Sequence, residues 1–466
     1  FRSQYSTPAF ANAAAALVVY AGRNDLLEPA AKAMDWASLR LHNNAGADGH
    51  DDFYPPMLAH TLRLLSSLVA PSRAATWQAN LTFDPYAIYD YAPGTFNWTM
   101  VASGGEALLQ LMGIRSTNNT YVTEVWAAQG FHFLTPYGLY MEGPMCYDIF
   151  PRVFVTDALQ QGYTGPYSAE MQAAMDRAAI TSLFMQSPWG ELPAGGRSAH
   201  HQWNEAEQSF IYEVYAAKAK ASGKLLLASA YKRAAHVSLS SMLRWVRPSG
   251  EMQILKNWVD PSSRHGYESY SYHSQYNLMP MMMLATAYEY AAATEDIAEG
   301  PAPSDTGGFV FQIDRSDTPS RPHKIFANAG GTYVEIEPNA DNAYDAEGLI
   351  RVHQKGLAPQ VGLTDSLLTA AFEQLKKDRH AAFRATAEAI ATTFIEAVIA
   401  PSVDPQALAV LAAKKNLRVV MADFARLAQD GGRELRSILG AVLMQARDRS
   451  EEHTSELQSP YVISYA

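Results

Sequence analysis

Two short segments of the sequence concentrate the side chains that could perform acid–base chemistry. Residues 198–208 read SAHHQWNEAEQ, and residues 264–276 read RHGYESYSYHSQY. Imidazole and phenol groups can remove or supply protons, while amide and guanidinium groups can bind a carboxylate or a developing enolate charge. We predict that the two segments are the two halves of one site.

The first segment also has the spacing of a polar helix face. The turn at 195–198 can direct backbone N–H groups and a helix N-terminus toward an anion, which suits the binding of a carboxylate. If a helix begins near Ala199, four polar residues share one of its sides, namely His201, Asn204, Glu205 and Gln208.

A metal site and a plain helix start are alternative interpretations of this segment. His201 and Glu205 lie four residues apart, and His200 or His273 could supply a third ligand for zinc or manganese. The sequence lacks an HExxH-type signature, so we predict no bound metal or other cofactor and keep a divalent ion as the alternative. Polar residues at a helix start are also common as caps.

The elements that must position these residues are mostly helical. After a linker at 299–307, the segments 308–314, 323–329, 331–338 and 345–356 alternate apolar and polar residues as β-strands do. The patterns predict a mainly α fold: an incomplete (α/α)n toroid of about ten helices in 1–298, then the start of a β-sandwich domain in 308–357. Apolar residues recur at three- and four-residue spacing in 11–20, 27–40, 56–67, 100–112, 121–129, 168–183, 205–221, 225–245 and 277–293.

This order of domains resembles several polysaccharide lyase families, the heparinase II/III-like, chondroitin AC-like and alginate lyases. The clusters that carry the resemblance are YMEGPMCYDIFPR (140–152), GGRSAHHQWNEAEQ (195–208) and RHGYESYSYHSQYNLMPMMMLATAY (264–288). The lyases usually have Asn-His or Asn-Trp-Trp where this chain has HHQWNE (200–205). The resemblance implies a secreted or periplasmic enzyme that cleaves a uronic-acid glycan by β-elimination.

β-Elimination at a uronic acid requires three groups. One neutralises the carboxylate, a base removes the C5 proton, and an acid protonates the leaving oxygen. The catalytic residues that the resemblance implies are His201 or His273 as the base, Tyr267 or Tyr272 as the acid, and Asn204 with Arg264 as carboxylate binders, with Glu205 beside them.

Aromatic and polar residues near the clusters could hold the sugar rings. Indole faces, including that of Trp258, can stack on sugars. The substrate-binding residues that the resemblance implies are Asn97, Trp98, Tyr147, Arg197, His200, Trp203 and Arg264.

Two other functions fit the same scaffold. A glycoside hydrolase would need two carboxyl groups, such as Glu205 with Glu268 or Asp148. A non-catalytic glycan-binding protein would keep the aromatic residues but would need no acid and base.

Composition narrows the classes of partner. The chain of 466 residues carries a net charge of −11, which disfavours a nucleic-acid surface, and its single cysteine, Cys146, excludes an internal disulfide framework. No apolar run reaches the length of a membrane span. Because the chain begins at Phe1, its sequence leaves the presence of an export signal undecided.

The C-terminal part resembles an unrelated enzyme. FIEAVIAPS (394–402), KKNLR (414–418) and RSILG (436–440) make residues 384–448 similar to part of the transformylase domain of the bifunctional AICAR transformylase/IMP cyclohydrolase family. The catalytic Lys-His pair and the Asn-Pro-Cys-Gly stretch of that family do not occur upstream of residue 384. We therefore expect this fragment to be inactive in formyl transfer.

The final residues match a translated DNA adapter. RSEEHTSELQS (449–459) and ISYA (463–466) reproduce, in order, the translation of a common short-read sequencing adapter. We interpret 449–466 as adapter sequence and predict a chimaera from metagenomic reads, with its junction in 358–383.

Overall fold

The computed structural model describes residues 4–89, 97–133, 136–140, 142, 145–195, 197–264, 266–268, 270–306, 308–313, 324–337 and 348–357. The predicted junction, the fragment at 384–448 and the tail at 449–466 lie outside these residues. Within them the fold is mainly α, as predicted, and is followed by one antiparallel sheet.

The helices match the predicted apolar periodicity closely. Two helices of ten or more residues were not predicted. The segment Met145–Gln160 is a helix despite an internal proline, Pro151, and Pro71–Asn80 forms a short helix that the periodicity did not indicate. The described helices are α1 (Ser6–Ala21), α2 (Leu27–His42), α3 (Tyr54–Leu65), α4 (Pro71–Asn80), α5 (Pro85–Ile88), α6 (Asn97–Leu111), α7 (Tyr121–Phe133), α8 (Met145–Gln160), α9 (Ser168–Met185), α10 (Trp203–Ala221), α11 (Leu225–Leu243), α12 (His273–Ala291) and α13 (Pro303–Thr306).

Six of these helices form a closed inner ring. In order, α1 packs on α3, α3 on α6, α6 on α8, α8 on α10, α10 on α12, and α12 on α1. Helices α2, α7, α9 and α11 cover the ring from outside by packing on α1, α6, α8 and α10. The mainly α fold agrees with the prediction, and the packing of α12 against α1 closes the inner ring, which we expected to be incomplete.

Two glycines allow the ring helices to approach closely. A Cβ atom at Gly104 would lie 2.8 Å from the carbonyl oxygen of Phe154 on α8, and one at Gly105 would lie 2.4 Å from the Cβ of Pro55 on α3. A glycine pair weakens an isolated helix. Here the pair is required because α6 packs tightly between two neighbours.

The inner helices α1, α8 and α12 run parallel to one another. Near the starts of α1 and α12, Gln275 donates to the Tyr5 hydroxyl at 3.0 Å. Near their ends, the Tyr20 and Tyr288 rings are 5.5 Å apart. The Gln161 amide, just after α8, reaches the Tyr290 hydroxyl at 3.2 Å. One end of the ring therefore gathers helix N-termini, where the helix dipoles place partial positive charge.

The sheet follows the predicted strand pattern and packs on the ring. Its strands β1 (Gly308–Ile313), β2 (Lys324–Ala329), β3 (Thr332–Glu337) and β4 (Gly348–Gln354) form an antiparallel meander in chain order. The hydroxyl of Tyr333 on β3 donates to the carbonyl of Met185 at the end of α9, at 2.7 Å. The predicted linker contains the short helix α13.

Helix α10 starts later than the sequence suggested. It begins at Trp203, whereas we expected a helix from about Ala199. Backbone pairing explains the difference, because His201 bridges to Leu255 and the Gln202 amide donates to the Ile254 carbonyl at 2.9 Å. The prediction that His201 lies on the polar face of this helix is therefore wrong. None of the described helices is both long and apolar enough to cross a bilayer.

Candidate functional site

The polar segments singled out in the sequence meet at the N-terminal end of the ring. Each precedes or opens an inner helix: Asn97 in α6, Tyr147 in α8, Ser198 before α10 and His273 in α12. His50, before α3, lies at the same end, although the sequence did not single it out. Chain order alone separates these residues widely. The ring brings them to one end, where helix dipoles favour an anionic ligand.

The segments 198–208 and 264–276 are in direct contact. The Ser198 amide donates to Oε1 of Glu268 at 3.1 Å, and the Ser198 hydroxyl lies 3.0 Å from that of Tyr270. Nε2 of His201 lies 3.0 Å from the Ser271 hydroxyl. Three hydrogen-bonding contacts thus join the described parts of the two segments.

Ser198 occupies a conformation that its neighbours must stabilise. Its φ of 67° lies in the left-handed region, which non-glycine residues adopt rarely. The Ser198 carbonyl accepts from Nδ1 of His201 at 3.2 Å and from Nδ2 of Asn204 at 3.1 Å. Both side chains are buried, and burial lowers the pKa of His201 to about 4. His201 is therefore neutral at pH 7, and with Asn204 it holds the turn.

Three hydroxyl groups, the hydroxyl cluster, lie beside this turn. The Tyr147 hydroxyl is 3.0 Å from that of Tyr270 and 3.4 Å from that of Ser198. Burial is the main cause that raises the pKa of both tyrosines, so both phenols keep their protons at neutral pH. The guanidinium of Arg197 lies 4.2 Å from the centre of the Tyr147 ring.

Arg197 also connects to a carboxylate. Its Nη2 atom is 3.4 Å from Oε1 of Glu142, whose carboxylate accepts from the backbone amide of Asn97 at 2.5 Å and from its side-chain amide at 2.8 Å. Burial raises the pKa of Glu142, and it also raises that of Glu268. Two carboxyl groups with raised pKa therefore lie near one guanidinium.

A more accessible group, the rim cluster, consists of Glu251, Arg264, Tyr267, Tyr272 and His273. The Arg264 guanidinium lies 5.4 Å from the Tyr267 ring and 5.8 Å from the Tyr272 ring. Nε2 of His273 lies 2.6 Å from Oε1 of Glu251, and Nδ1 lies 3.5 Å from the Tyr267 hydroxyl. Burial raises the pKa of Tyr267 although Arg247 and Arg264 oppose this effect, so the phenol is protonated.

Three predicted residues face the core or the sheet. Glu205 is fully buried, 2.6 Å from Nζ of Lys256, and accepts from the Leu192 amide at 3.0 Å. Trp203 is 2% exposed and packs between Phe150 and Tyr276, which leaves no open face for a sugar. The third, the half-buried His200, has its pKa lowered by burial first and then by nearby cations.

Three of the predicted aromatic residues stay accessible: Trp98, Tyr272 and Trp258. Trp98 lies at the start of α6. Its side chain is 40% exposed, and the ring of His50 contacts it edge-on at 4.7 Å. Asn97, next to it, is buried. Trp98 can therefore offer an indole face to a sugar, while Asn97 orients Glu142.

The alternative metal site is not assembled by this fold. The Glu205 carboxylate is taken by Lys256, and both ring nitrogens of His201 have protein partners. Among the described residues no three His, Cys, Asp or Glu side chains are grouped in a way that could hold an ion.

The hydrolase pairs considered from sequence are also engaged elsewhere. Asp148 pairs with Arg152 at 2.7 Å and accepts from the Tyr140 amide at 2.7 Å, while Glu205 pairs with Lys256. Ser198 and Glu142 lie in segments that the sequence marked, 198–208 and 140–152, but neither residue was assigned a role there. Glu251 lies outside every marked segment. No cluster of His, Tyr or amide residues surrounds Glu251 in the sequence, so no local signal could have found it.

Comparison with known proteins separates the two parts of the chain. Residues 380–462 match the family model described as AICARFT/IMPCHase bienzyme, which confirms the resemblance of the C-terminal region. The bifunctional purine biosynthesis protein PurH of Myxococcus xanthus is 51% identical over 72 residues, covering 14% of each chain. PurH of Synechococcus elongatus is 40% identical over 104 residues, 22% of this chain and 18% of the relative. The chain thus spans less than a fifth of these relatives.

Two solved structures are similar to the larger part of the chain. One, titled a polysaccharide lyase, is 13% identical and covers 63% of this chain and 92% of its own, with a TM-score of 0.44. The other, titled a family 88 glycosyl hydrolase from Bacteroides vulgatus, is 11% identical and covers 62% of this chain and 93% of its own, with a TM-score of 0.43.

Proposed function

We propose that the ring is a polysaccharide lyase that cleaves a uronic-acid-containing glycan by β-elimination. One observation carries the proposal. The rim cluster combines an imidazole oriented by a carboxylate, a protonated phenol and a guanidinium at the ring end that favours anions. These are the base, the acid and the carboxylate binder that the reaction needs.

His273 is the proposed base. A carboxylate at Glu251 can only accept, so the Nε2 atom of a neutral His273 carries the proton and Nδ1 keeps its lone pair. His201 is unsuited to this role because it is 1% exposed and both its ring nitrogens are engaged. His273 removes the C5 proton of the sugar through Nδ1.

Tyr267 is the proposed acid. Its hydroxyl adjoins Nδ1 of His273, so a sugar between them could lose one proton and gain another on the same side of the ring. Catalytic hydrogen bonds are often long before a substrate binds, so the 3.5 Å separation suits this role. Tyr272, which is 46% exposed, packs under Arg264 and is proposed to line the site.

Arg264 and Arg197 are the proposed carboxylate binders. Arg264 is exposed beside the acid, and the Arg197 side chain is 35% exposed beside Glu142. A guanidinium can bind a carboxylate through two parallel N–H groups. The charge that builds up as the C5 proton leaves would be stabilised in the same way.

A glycoside hydrolase is the second candidate, and Glu142 with Glu268 favours it. Burial raises the pKa of both groups, and both feel the charge of Arg197. One carboxylic acid and one carboxylate are what glycoside hydrolysis requires. In this case the rim cluster would only bind the sugar.

The two candidates give different products. The full chain is incubated with uronic-acid polymers, and the ultraviolet absorbance of unsaturated uronate is followed together with new reducing ends. The lyase proposal expects both signals to rise together. Reducing ends without absorbance would indicate hydrolysis, and neither signal would favour a glycan-binding protein. We expect the substrate to lie outside the cell, so we propose a secreted or periplasmic location.

For the C-terminal region we propose an inactive fragment joined at 358–383 to an unrelated protein. The support is that the family match covers 380–462, while the matched relatives are far longer than the shared segment. Sequencing of native DNA across codons 357–385 tests this proposal. An uninterrupted native read would refute the junction, and formyl transfer by the purified chain would refute the inactivity.

A further inference from the structure

We propose that the sheet is part of the machinery of the candidate site, because Arg351 on β4 clamps the loop that presents Arg197 and Ser198. For its catalytic consequence this inference rests on the proposed function. Its structural consequence, the ordering of the loop at 191–198, stands independently.

The loop is held at three backbone atoms. The Leu192 carbonyl accepts from Nη1 of Arg351 at 2.6 Å, while the Leu192 amide donates to Glu205 at 3.0 Å. The Ala194 amide donates to Oε2 of Glu335 on β3 at 3.0 Å. Two of the three partners belong to the sheet.

Sheet register places the two clamping side chains together. Arg351 on β4 pairs with Glu335 on β3, and their side chains approach to 3.5 Å. The other end of the guanidinium, Nη2, lies 3.3 Å from Glu191, the residue just before the clamped Leu192. Arg351 therefore connects the sheet to the loop through both charge and hydrogen bonding.

Burial makes these contacts hard to replace. Arg351 and Leu192 are each 3% exposed, and Glu335 is fully buried. Water cannot readily reach the Leu192 carbonyl in such a place, so loss of the guanidinium leaves that carbonyl without its donor. Glu191 and Glu335 each lose one of their cations and keep their pairs with Arg244 and Lys324, respectively. We expect the loop to move in order to recover partners.

Such a movement reaches the site directly. Arg197 and Ser198 follow Ala194 by three and four residues, and Ser198 contacts both Glu268 and Tyr270. A displacement of about 1 Å in a positioning group can lower a rate by about a hundredfold. Arg351 is thus a positioning residue, although it lies on the sheet and contacts no substrate.

The chain contains a matched control for this contact. Arg115 is also buried, donates to both carboxylate oxygens of Glu106, and donates to a backbone carbonyl, that of Phe83, at 2.5 Å. It belongs to the segment after α6 and contacts none of the site residues named above. Replacing Arg115 should lower the free energy of unfolding in the same way, because a buried carboxylate and a backbone carbonyl each lose this donor.

The test compares Arg351→Met and Arg351→Lys with Arg115→Met and Arg115→Lys in the full chain. Hydrogen exchange of the amides in 191–198 and the lyase kcat and KM are measured under conditions where each variant is folded. We expect Arg351→Met to speed exchange at Leu192 and Ala194 by about tenfold or more and to lower kcat by about tenfold or more, with both Arg115 variants at wild-type values. Arg351→Lys keeps the charge but not the fork of donors. Its exchange rates and its kcat should therefore lie between those of the wild type and those of Arg351→Met.

Equal exchange at 191–198 in the Arg351 and Arg115 variants would overturn the clamp. So would a loss of kcat that is the same in both pairs. If the wild-type chain shows no elimination, the proposed function fails, and the exchange comparison still decides the clamp. If Arg351→Met does not fold, Arg351→Lys provides the same comparison.

Discussion

Nε2 of His273 lies 2.6 Å from Oε1 of Glu251, and this contact determines which ring nitrogen of His273 can act as a base. The carboxylate accepts a hydrogen bond from the Nε2–H group, so the Nδ1 lone pair is directed toward the Tyr267 hydroxyl. His273 is thereby oriented on the accessible side of the site.

Replacing His273 should remove the base. We expect His273→Gln to lower kcat by about 10²–10⁴-fold and Glu251→Gln by a smaller factor, because the second variant keeps an imidazole that is only less well oriented. Steady-state kinetics on a uronic-acid polymer checks both values. His236→Gln is the matched control, since His236 is also paired with a glutamate, Glu299, at 2.5 Å but contacts none of the proposed catalytic residues. Equal losses in the His273 and His236 variants would argue against the assignment.

Removing the guanidinium at the rim should weaken the binding of an acidic glycan. We expect Arg264→Gln to raise KM by about tenfold or more and to reduce the salt dependence of KM, because a charge-assisted bond to the substrate carboxylate is lost. KM is measured at low and high salt. Arg23→Gln serves as the control, since Arg23 is exposed and paired with Asp25. An unchanged salt dependence in Arg264→Gln would mean that the residue does not bind the carboxylate.

The buried His201 should make stability depend on pH. Its pKa is about 4 in the folded chain and 6.5 when unperturbed, so below pH 6.5 the unfolded chain binds more protons. The free energy of unfolding should therefore fall as pH drops from 6.5 toward 4. Urea unfolding at pH 7 and pH 5 measures this change. His201→Asn, which can still donate to the Ser198 carbonyl, should show a smaller difference between the two pH values than the wild type.

Adding one methyl group to the ring should destabilise it. Gly105→Ala places a Cβ atom 2.4 Å from a Pro55 atom, so we expect a loss of about 1–3 kcal/mol in the free energy of unfolding. Gly308→Ala is the control, because nothing lies within 4 Å of its added Cβ atom. Calorimetry should show a lower Tm for the first variant only. A stable Gly105→Ala chain would mean that α3 and α6 are farther apart than in this structure.

Local patterns in the sequence predicted the helices and strands well, but they did not predict which candidate residues are buried or what they contact. Apolar periodicity depends on neighbours within a helical turn, so it located the segments that became α1 and α11. The start of α10 depends on pairing of His201 with Leu255, which is distant in sequence. The burial of Trp203 depends in the same way on Tyr276. Contacts of this kind leave no trace in a local pattern.

Long-range packing also explains why the structure gives some side chains a different role from the one that the sequence suggested. Glu205 has the spacing of a metal ligand with His201 and was a candidate carboxyl group for a hydrolase, but the fold pairs it with Lys256. His273 and Glu251 come from segments whose relation only the closed ring defines. Residue types thus indicated the chemistry, whereas the packing of α10 and α12 decided which residues could perform it.

Mass spectrometry of the digestion products tests the central claim most directly. The wild-type chain and His273→Gln are each incubated with a uronic-acid polymer, and the masses of the oligosaccharide products are measured. Elimination breaks the bond without adding water, so the account predicts products with an unsaturated terminal uronate, each lighter by one water than its hydrolytic counterpart, and their near absence with His273→Gln. Products that carry the added water, or unsaturated products formed equally well by His273→Gln, would contradict it.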